Sequence, residues 1–194
     1  VTGVQTCALP IWVSCVVGVS KKTTEAVVTR YPWLHGVNEA EIPHGGEPRD
    51  FQYLREHPRV NRVFEKGDGN IHLCYIGAYV SAMLPSLQAL FGAVRIGLER
   101  APGLFARVRL HFVGTSYAPE ANARYAIQPI AQEAGIGHLV EEQPARVGYL
   151  DALQLLLDSH GLVVVGSDEA HYTPSKIFPY IMANRPLLAI RSEE

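Results

Sequence analysis

From Ile71 onward the chain alternates short, largely apolar runs with longer stretches of helical periodicity, and this alternation limits the folds open to it. Ile71 to Gly77, Arg107 to Gly114, Gly137 to Val140, Leu162 to Val165 and Pro186 to Ile190 read as strands. Leu84 to Glu99 carries apolar residues at Leu84, Leu87, Leu90, Phe91 and Val94, a helical stripe. Glu120 to Ala134, between Pro119 and Gly135, predicts a second helix, and Tyr149 to His160 a third with a strong apolar face. Pro174 to Asn184 predicts a fourth, with proline in its first turn and a kink at Pro179. Apolar strands separated by helices are buried on both faces, and right-handed crossovers place the helices above and below. The predicted fold is α/β, a doubly wound parallel sheet.

Upstream, Trp12 to Val19 reads as a strand, Ser20 as the cap of a helix from Lys21 to Tyr31, and Val37 to Ile42 as a returning strand. Pro43-His-Gly-Gly-Glu-Pro48 is a break, Asp50 to Arg55 is locally helical, and Lys66 to Asn70 is a loop. A length of 194 residues allows one large domain, or one domain and part of another. A net charge of -2 gives no electrostatic case for nucleic acid or an anionic membrane. The three cysteines, Cys7, Cys15 and Cys74, are odd in number and lack metal-ligand spacing, which suggests a reduced, cytoplasmic setting. No apolar run reads as a membrane span, and no His/Cys/Asp cluster or nucleophile elbow stands out.

Residues 1–11, Val1-Thr-Gly-Val-Gln-Thr-Cys-Ala-Leu-Pro-Ile11, match residue for residue the translation of a sequencing-library adapter. The expectation is that they are not native protein and that the chain is an internal fragment, truncated at both ends.

The residues with most chemistry lie between the last two strands. Thr173, Ser175 and Lys176, in Tyr172-Thr-Pro-Ser-Lys-Ile177, place hydroxyls, backbone N–H groups and a point charge where a helix should begin. A diphosphate is favoured there. A plain threonine cap with a solvated lysine explains the same residues. Gly77, Gly114 (followed by Thr115) and Gly166 each end a strand, where glycine lets a ligand approach the backbone or simply makes a turn. Asp168, Glu169 and His171 occupy the loop before the helix, as general-base or ribose-binding candidates or as solvated polar residues. Tyr149 could stack on a base or pack at a helix start.

These residues resemble a family. Tyr172-Thr-Pro-Ser-Lys-Ile-Phe-Pro-Tyr-Ile-Met-Ala-Asn-Arg-Pro-Leu-Leu-Ala189 resembles the Ser-Lys helix segment of GT-B glycosyltransferases, most closely the retaining, family-4-like members. Val19-Ser-Lys-Lys with Arg30-Tyr-Pro, Ile42-Pro-His-Gly-Gly-Glu with Asp50-Phe51, and Tyr75-Ile-Gly77 resemble other segments of that family, in order. The resemblance implies two Rossmann-like domains, with residues 12–50 ending the N-terminal domain and crossing over, and 51–194 forming most of the nucleotide-sugar-binding domain. It implies transfer of a hexosyl group from a nucleotide-diphospho-sugar to a glycan, lipid or small-molecule acceptor, with no cofactor and no metal required. Thr173, Ser175, Lys176 and Tyr172 would hold the diphosphate, Gly77, Gly114, Thr115 and Gly166 would line the donor site, and Glu169 or His171 would face the sugar. Peripheral membrane association would belong to the N-terminal domain, and the fragment alone is expected to be inactive.

The chain departs from the family where two glutamates are expected: His171 and Pro179 stand there. The family's Arg and Lys after the first glycine strand are also not evident in Gly77-Ala-Tyr-Val-Ser-Ala-Met-Leu-Pro85. A non-catalytic nucleotide-sugar-binding module, or a sugar-nucleotide epimerase of GT-B architecture, therefore stays open. A dinucleotide-binding dehydrogenase does not fit, because no Gly-x-Gly-x-x-Gly follows any strand.

Overall fold

The structure, a computed structural model, describes residues 13–167 and 174–191. The chain divides after His44 into two units, each with its own parallel sheet. In the first, β1 (Cys15–Gly18) pairs with β2 (Asn38–Glu41), Cys15 opposite Asn38. Parallel strands need a crossover, and α1 (Lys21–Arg30) supplies it. Ser20 caps this helix: its Oγ accepts from the Thr23 N–H at 3.3 Å.

α2 (Pro48–Glu56) belongs to the second unit, where its Phe51 and Leu54 are buried in the core. That unit is built on β3 (Ile71–Ile76), β4 (Val108–Val113), β5 (Val140–Gln143), β6 (Gly161–Val165) and β7 (Leu187–Ile190). They lie side by side in the order β5-β4-β3-β6-β7, every pair parallel. This is the doubly wound α/β sheet that the alternating pattern predicts.

The helices fall in two layers. α3 (Leu84–Arg100), followed by the single turn α4 (Pro102–Phe105), sets Leu87, Leu90, Phe91 and Val94 against one face, and α5 (Gln128–Glu133) adds Ala131. The other face carries α2, α6 (Tyr149–Asp158) and α7 (Ile177–Met182), through Phe51, Leu54, Leu153, Leu156 and Tyr180. The period of two along each strand sorts the side chains between these layers. Tyr75, Val163 and Val165 join the α3 layer, while Cys74, Leu162 and Val164 join the α6 layer. The segment Ser81–Arg100 is long and apolar enough to cross a membrane by composition, contrary to the sequence reading. Its apolar stripe is instead part of this core.

Among the elements whose bounds differ from expectation, three are informative. The helix expected over Glu120–Ala134 is a 3₁₀ turn at Glu120–Asn122, a loop, and α5 from Gln128. Glu142, reaching in from β5, fixes this start: its carboxylate accepts from the backbone N–H groups of Ala126, Ile127 and Gln128 at 2.8–3.1 Å. A side chain distant in sequence thus caps the helix, which local pattern cannot reveal. The strand expected at Gly137–Val140 is a 3₁₀ turn followed by β5, whose inward residues are Val140 and Glu142. An inward carboxylate hides the apolar alternation. Finally, α7 starts at Ile177 rather than Pro174, so Pro179 lies in its first turn. An intrahelical hydrogen bond is not lost there, and the proline does not break a helix interior.

Three histidines far apart in sequence meet on the sheet. His72 Nδ1 and His111 Nε2 share a hydrogen bond of 2.9 Å, and His72 Nε2 lies 3.0 Å from Asp68 Oδ1. The His72 N–H donates to His160 Nδ1 at 3.1 Å, and Phe64 stacks on His72 with ring centroids 4.2 Å apart. His111 is 1% exposed, and burial first, then the neighbouring His72, pushes its pKa down to about 4. A histidine held neutral in the fold contributes stability above its unfolded pKa, and that contribution is lost as pH falls toward the folded value. The thermal unfolding midpoint should therefore drop between about pH 6.5 and pH 4. His111→Gln should lower the midpoint at neutral pH and flatten that acid slope, as followed by circular dichroism.

Candidate functional site

The winding of the second sheet reverses beside β3. The chain runs outward through β3, β4 and β5, then returns to add β6 and β7 on the other side. The carboxyl ends of β3 and β6 therefore flank a switch point, where open α/β sheets form a crevice because successive connections leave on opposite faces. Gly77, Gly114 and Gly166 directly follow β3, β4 and β6, so parallel pairing sets all three on this edge. Their N–H groups continue the ladder to Val113, Gln143 and Ile190 oxygens at 2.8, 2.8 and 2.7 Å.

The three glycines are required for different reasons. Gly77 has φ +140°, and a Cβ on it would stand 2.9 Å from Lys176 Nζ. Gly114 has φ +71° with only ordinary contact distances around it, the nearest being 3.7 Å to Arg146 Cα. Gly166 has no such backbone demand. A side chain there would press on Ile190 O at 3.0 Å and Arg191 Cβ at 3.1 Å, so it is small because β7 passes close.

Lys176 spans the switch point. It sits in the turn before α7, where Ile177 N–H closes on Pro174 O at 3.1 Å, and Ser175 beside it is exposed. Its amine reaches back to the end of β3, 2.5 Å from Tyr75 Oη and 3.8 Å from the centre of the Tyr75 ring. The Tyr75 hydroxyl donates to Ala78 O at 2.7 Å, leaving its oxygen to accept from Lys176. Burial pushes the Lys176 pKa down to about 7. α7 is pinned to the same strand end, because Ile76 N–H donates to Tyr180 Oη at 2.6 Å. The sequence singles out Lys176 and Gly77 but gives no sign that they touch, nor that Tyr75 lies between them.

Other predicted residues fare differently. Thr115 is 3% exposed and its Oγ1 lies 2.5 Å from Glu142 Oε1, so its hydroxyl supports the α5 cap. Tyr149 is exposed and donates to Asp50 Oδ2 at 2.7 Å, a bond that raises its pKa. Glu169, His171, Tyr172 and Thr173, like Asp168, lie outside the described residues. One cation that sequence reading passes over joins this edge: Arg146, beside Gly114, lies over the Tyr117 ring at 4.9 Å from its centre. A separate cleft of about 530 Å³ is lined by residues including Arg59, Arg62, Gln143, Gly148 and Asp151. None of the predicted site residues lines it, and its Arg59 is already paired with Asp151 at 2.5 Å.

The geometry at Gly77 makes a direct prediction. Gly77→Ala forces a β-carbon into a backbone conformation that L residues rarely adopt and against the Lys176 amine. It should cost about 1–2 kcal/mol in urea unfolding, by the strain of a positive φ. Gly166→Ala should also destabilise, by crowding against β7 rather than by backbone strain.

No family model matches the chain, and no curated protein matches it. Solved structures do. An alpha,alpha-trehalose 6-phosphate synthase from Burkholderia multivorans is similar over 91% of this chain and 44% of its own, at 14% identity and a TM-score of 0.64. A UDP-forming alpha,alpha-trehalose-phosphate synthase from Burkholderia vietnamiensis is similar over 91% and 46%, at 12% identity and a TM-score of 0.58. The N-terminal domain of a trehalose-6-phosphate phosphatase from Candida albicans is similar over 91% and 43%, at 14% identity and a TM-score of 0.56. The chain thus spans less than half the length of these structures. At such identities the likeness concerns the fold, which is the Rossmann-like α/β architecture of GT-B proteins.

Proposed function

We propose that this chain forms the donor half of a glycosyltransferase, holding the diphosphate of a nucleotide-activated sugar at the switch point between β3 and β6. The observation that carries this reading is the placement of Lys176, a cation drawn from the β6–α7 connection onto the glycine-bearing end of β3. The likeness to structures described as UDP-forming synthases supports the same reading. Among the described residues the site has the parts that such a ligand requires. Gly77 lets the Lys176 amine, and an anion paired with it, come close to the backbone, and Gly114 leaves the end of β4 without a side chain. Lys176 and Arg146 supply positive charge on either side of them. Ser175 offers an exposed hydroxyl beside Lys176.

The chemistry asked of these groups is modest. A glycosyl group leaves with its bonding electrons on the diphosphate, so the developing negative charge is the quantity to stabilise. Fixed cations and donors aimed at the leaving oxygens do this without any proton transfer. Glu169 or His171 would face the sugar, and Tyr172 and Thr173 would complete the contacts to the diphosphate. The acceptor, a glycan, lipid or small molecule, would be positioned by protein outside this unit.

A second reading rests on a specific observation. His171 and Pro179 occupy the two positions where the resemblance calls for acids. That favours a nucleotide-sugar-binding module without transfer, or a sugar-nucleotide epimerase. Both readings predict binding, and only the first predicts transfer of sugar to an acceptor.

Calorimetry tests the shared part. UDP-glucose and GDP-mannose, titrated separately into the chain, should include at least one binder. Lys176→Met should weaken that binding roughly tenfold or more, the scale expected on losing a charge-assisted contact. Undiminished affinity in the variant would remove Lys176 from the site.

A further inference from the structure

Lys176 is placed in a way that a simple anion clamp does not need. Its half-buried amine lies against an aromatic ring and a phenol oxygen. Among the described residues no carboxylate pairs with it. From β3 the titratable group facing it is the neutral Tyr75 phenol, whose proton is committed to Ala78 O. From its own side, the Tyr180 hydroxyl is engaged at Ile76. Burial accounts for the depressed affinity of the amine for its proton, and no charged neighbour among the described residues contributes. The ring face offers a cation some compensation, but less than water would.

We infer that Lys176 takes up a proton when an anionic ligand enters the switch-point crevice, so that ligand affinity at this edge is coupled to pH. The inference rests on the proposed nucleotide-sugar site and adds how that site is controlled. Without ligand, the buried amine near neutral pH is divided between its charged and uncharged forms. A diphosphate beside Gly77 supplies the missing opposite charge, which stabilises the ammonium and raises its pKa. The proton comes from solvent and ends on Nζ. Because Tyr75 links the amine to Ala78, the same event reaches the loop that follows β3. The sign follows from linkage. Above neutrality the free amine is mostly uncharged, so binding must bring a proton and weakens as pH rises. Below neutrality the ammonium is already present, and the dependence fades.

The test is calorimetric titration of the 194-residue chain with UDP-glucose, whose diester diphosphate keeps a constant charge from about pH 6 to pH 8.5. Each pH is run in two buffers of different ionisation enthalpy. Uptake approaching one proton per ligand toward pH 8.5 and falling toward zero at pH 6 is expected, with affinity falling by up to about tenfold per pH unit on the alkaline side. Lys176→Arg, whose guanidinium stays charged, should bind with no proton uptake and no pH slope over this range. Lys176→Met should bind weakly with neither. The carbon-13 shift of the Lys176 ε-methylene, followed with pH in free and bound chain, reads the same change without relying on a variant. Binding at pH 8 or above with equal heats in both buffers would overturn the inference while leaving the nucleotide-sugar reading intact, as would uptake that persists in Lys176→Arg. Absence of binding by UDP-glucose and by GDP-mannose would overturn both.

Discussion

Strand β3 stands where the winding of the sheet reverses, and the remainder of the second unit is arranged around that fact. Its neighbours β4 and β6 belong to opposite directions of winding, so the chain leaves their carboxyl ends toward different faces. The crevice between those ends needs no special sequence to form. What the sequence adds is its lining: glycine directly after β3 and β4, and a lysine carried back onto them from the connection after β6. α7 is held to the same place by the hydrogen bonds of Tyr180 to Ile76, which fixes where Lys176 can point.

Among the described residues, this edge carries basic side chains and little acidic charge to balance them. Glu142, the carboxylate close to the β4 end, is consumed by the α5 backbone and by Thr115. Arg146 rests on an aromatic face and Lys176 on another. A guanidinium and a partly protonated amine, each held by an aromatic ring beside a glycine, form a place whose electrostatics improve when an anion arrives.

Much of this architecture could be read from pattern alone. The apolar runs at Ile71, Arg107 and Leu162 announce buried parallel strands, and the glycines after them fall on one edge by topology. The errors share a cause. The start of α5 depends on Glu142 and the extent of β5 on that same inward carboxylate, so both rest on tertiary contact. The His72, His111 and His160 cluster is invisible in the chain because parallel register, not spacing, brings its members together. At the site, Lys176 is conspicuous as part of a motif and Tyr75 belongs to the Tyr75-Ile-Gly77 segment that the resemblance also marks, but nothing in the sequence pairs the two across so long a separation. The residues given catalytic roles by resemblance, Glu169 and His171, fall outside what the structure describes, so their part rests on the sequence.

The central claim is that ligand enters at the ends of β3, β4 and β6, and not in the separate cleft lined by Arg59, Arg62 and Asp151. Amide chemical-shift mapping of the isotopically labelled chain with UDP-glucose tests this most directly. The account predicts perturbations concentrated at Gly77, Ala78, Gly114, Arg146 and Lys176. Perturbations concentrated instead at Arg59, Arg62, Gly148 and Asp151 would contradict it.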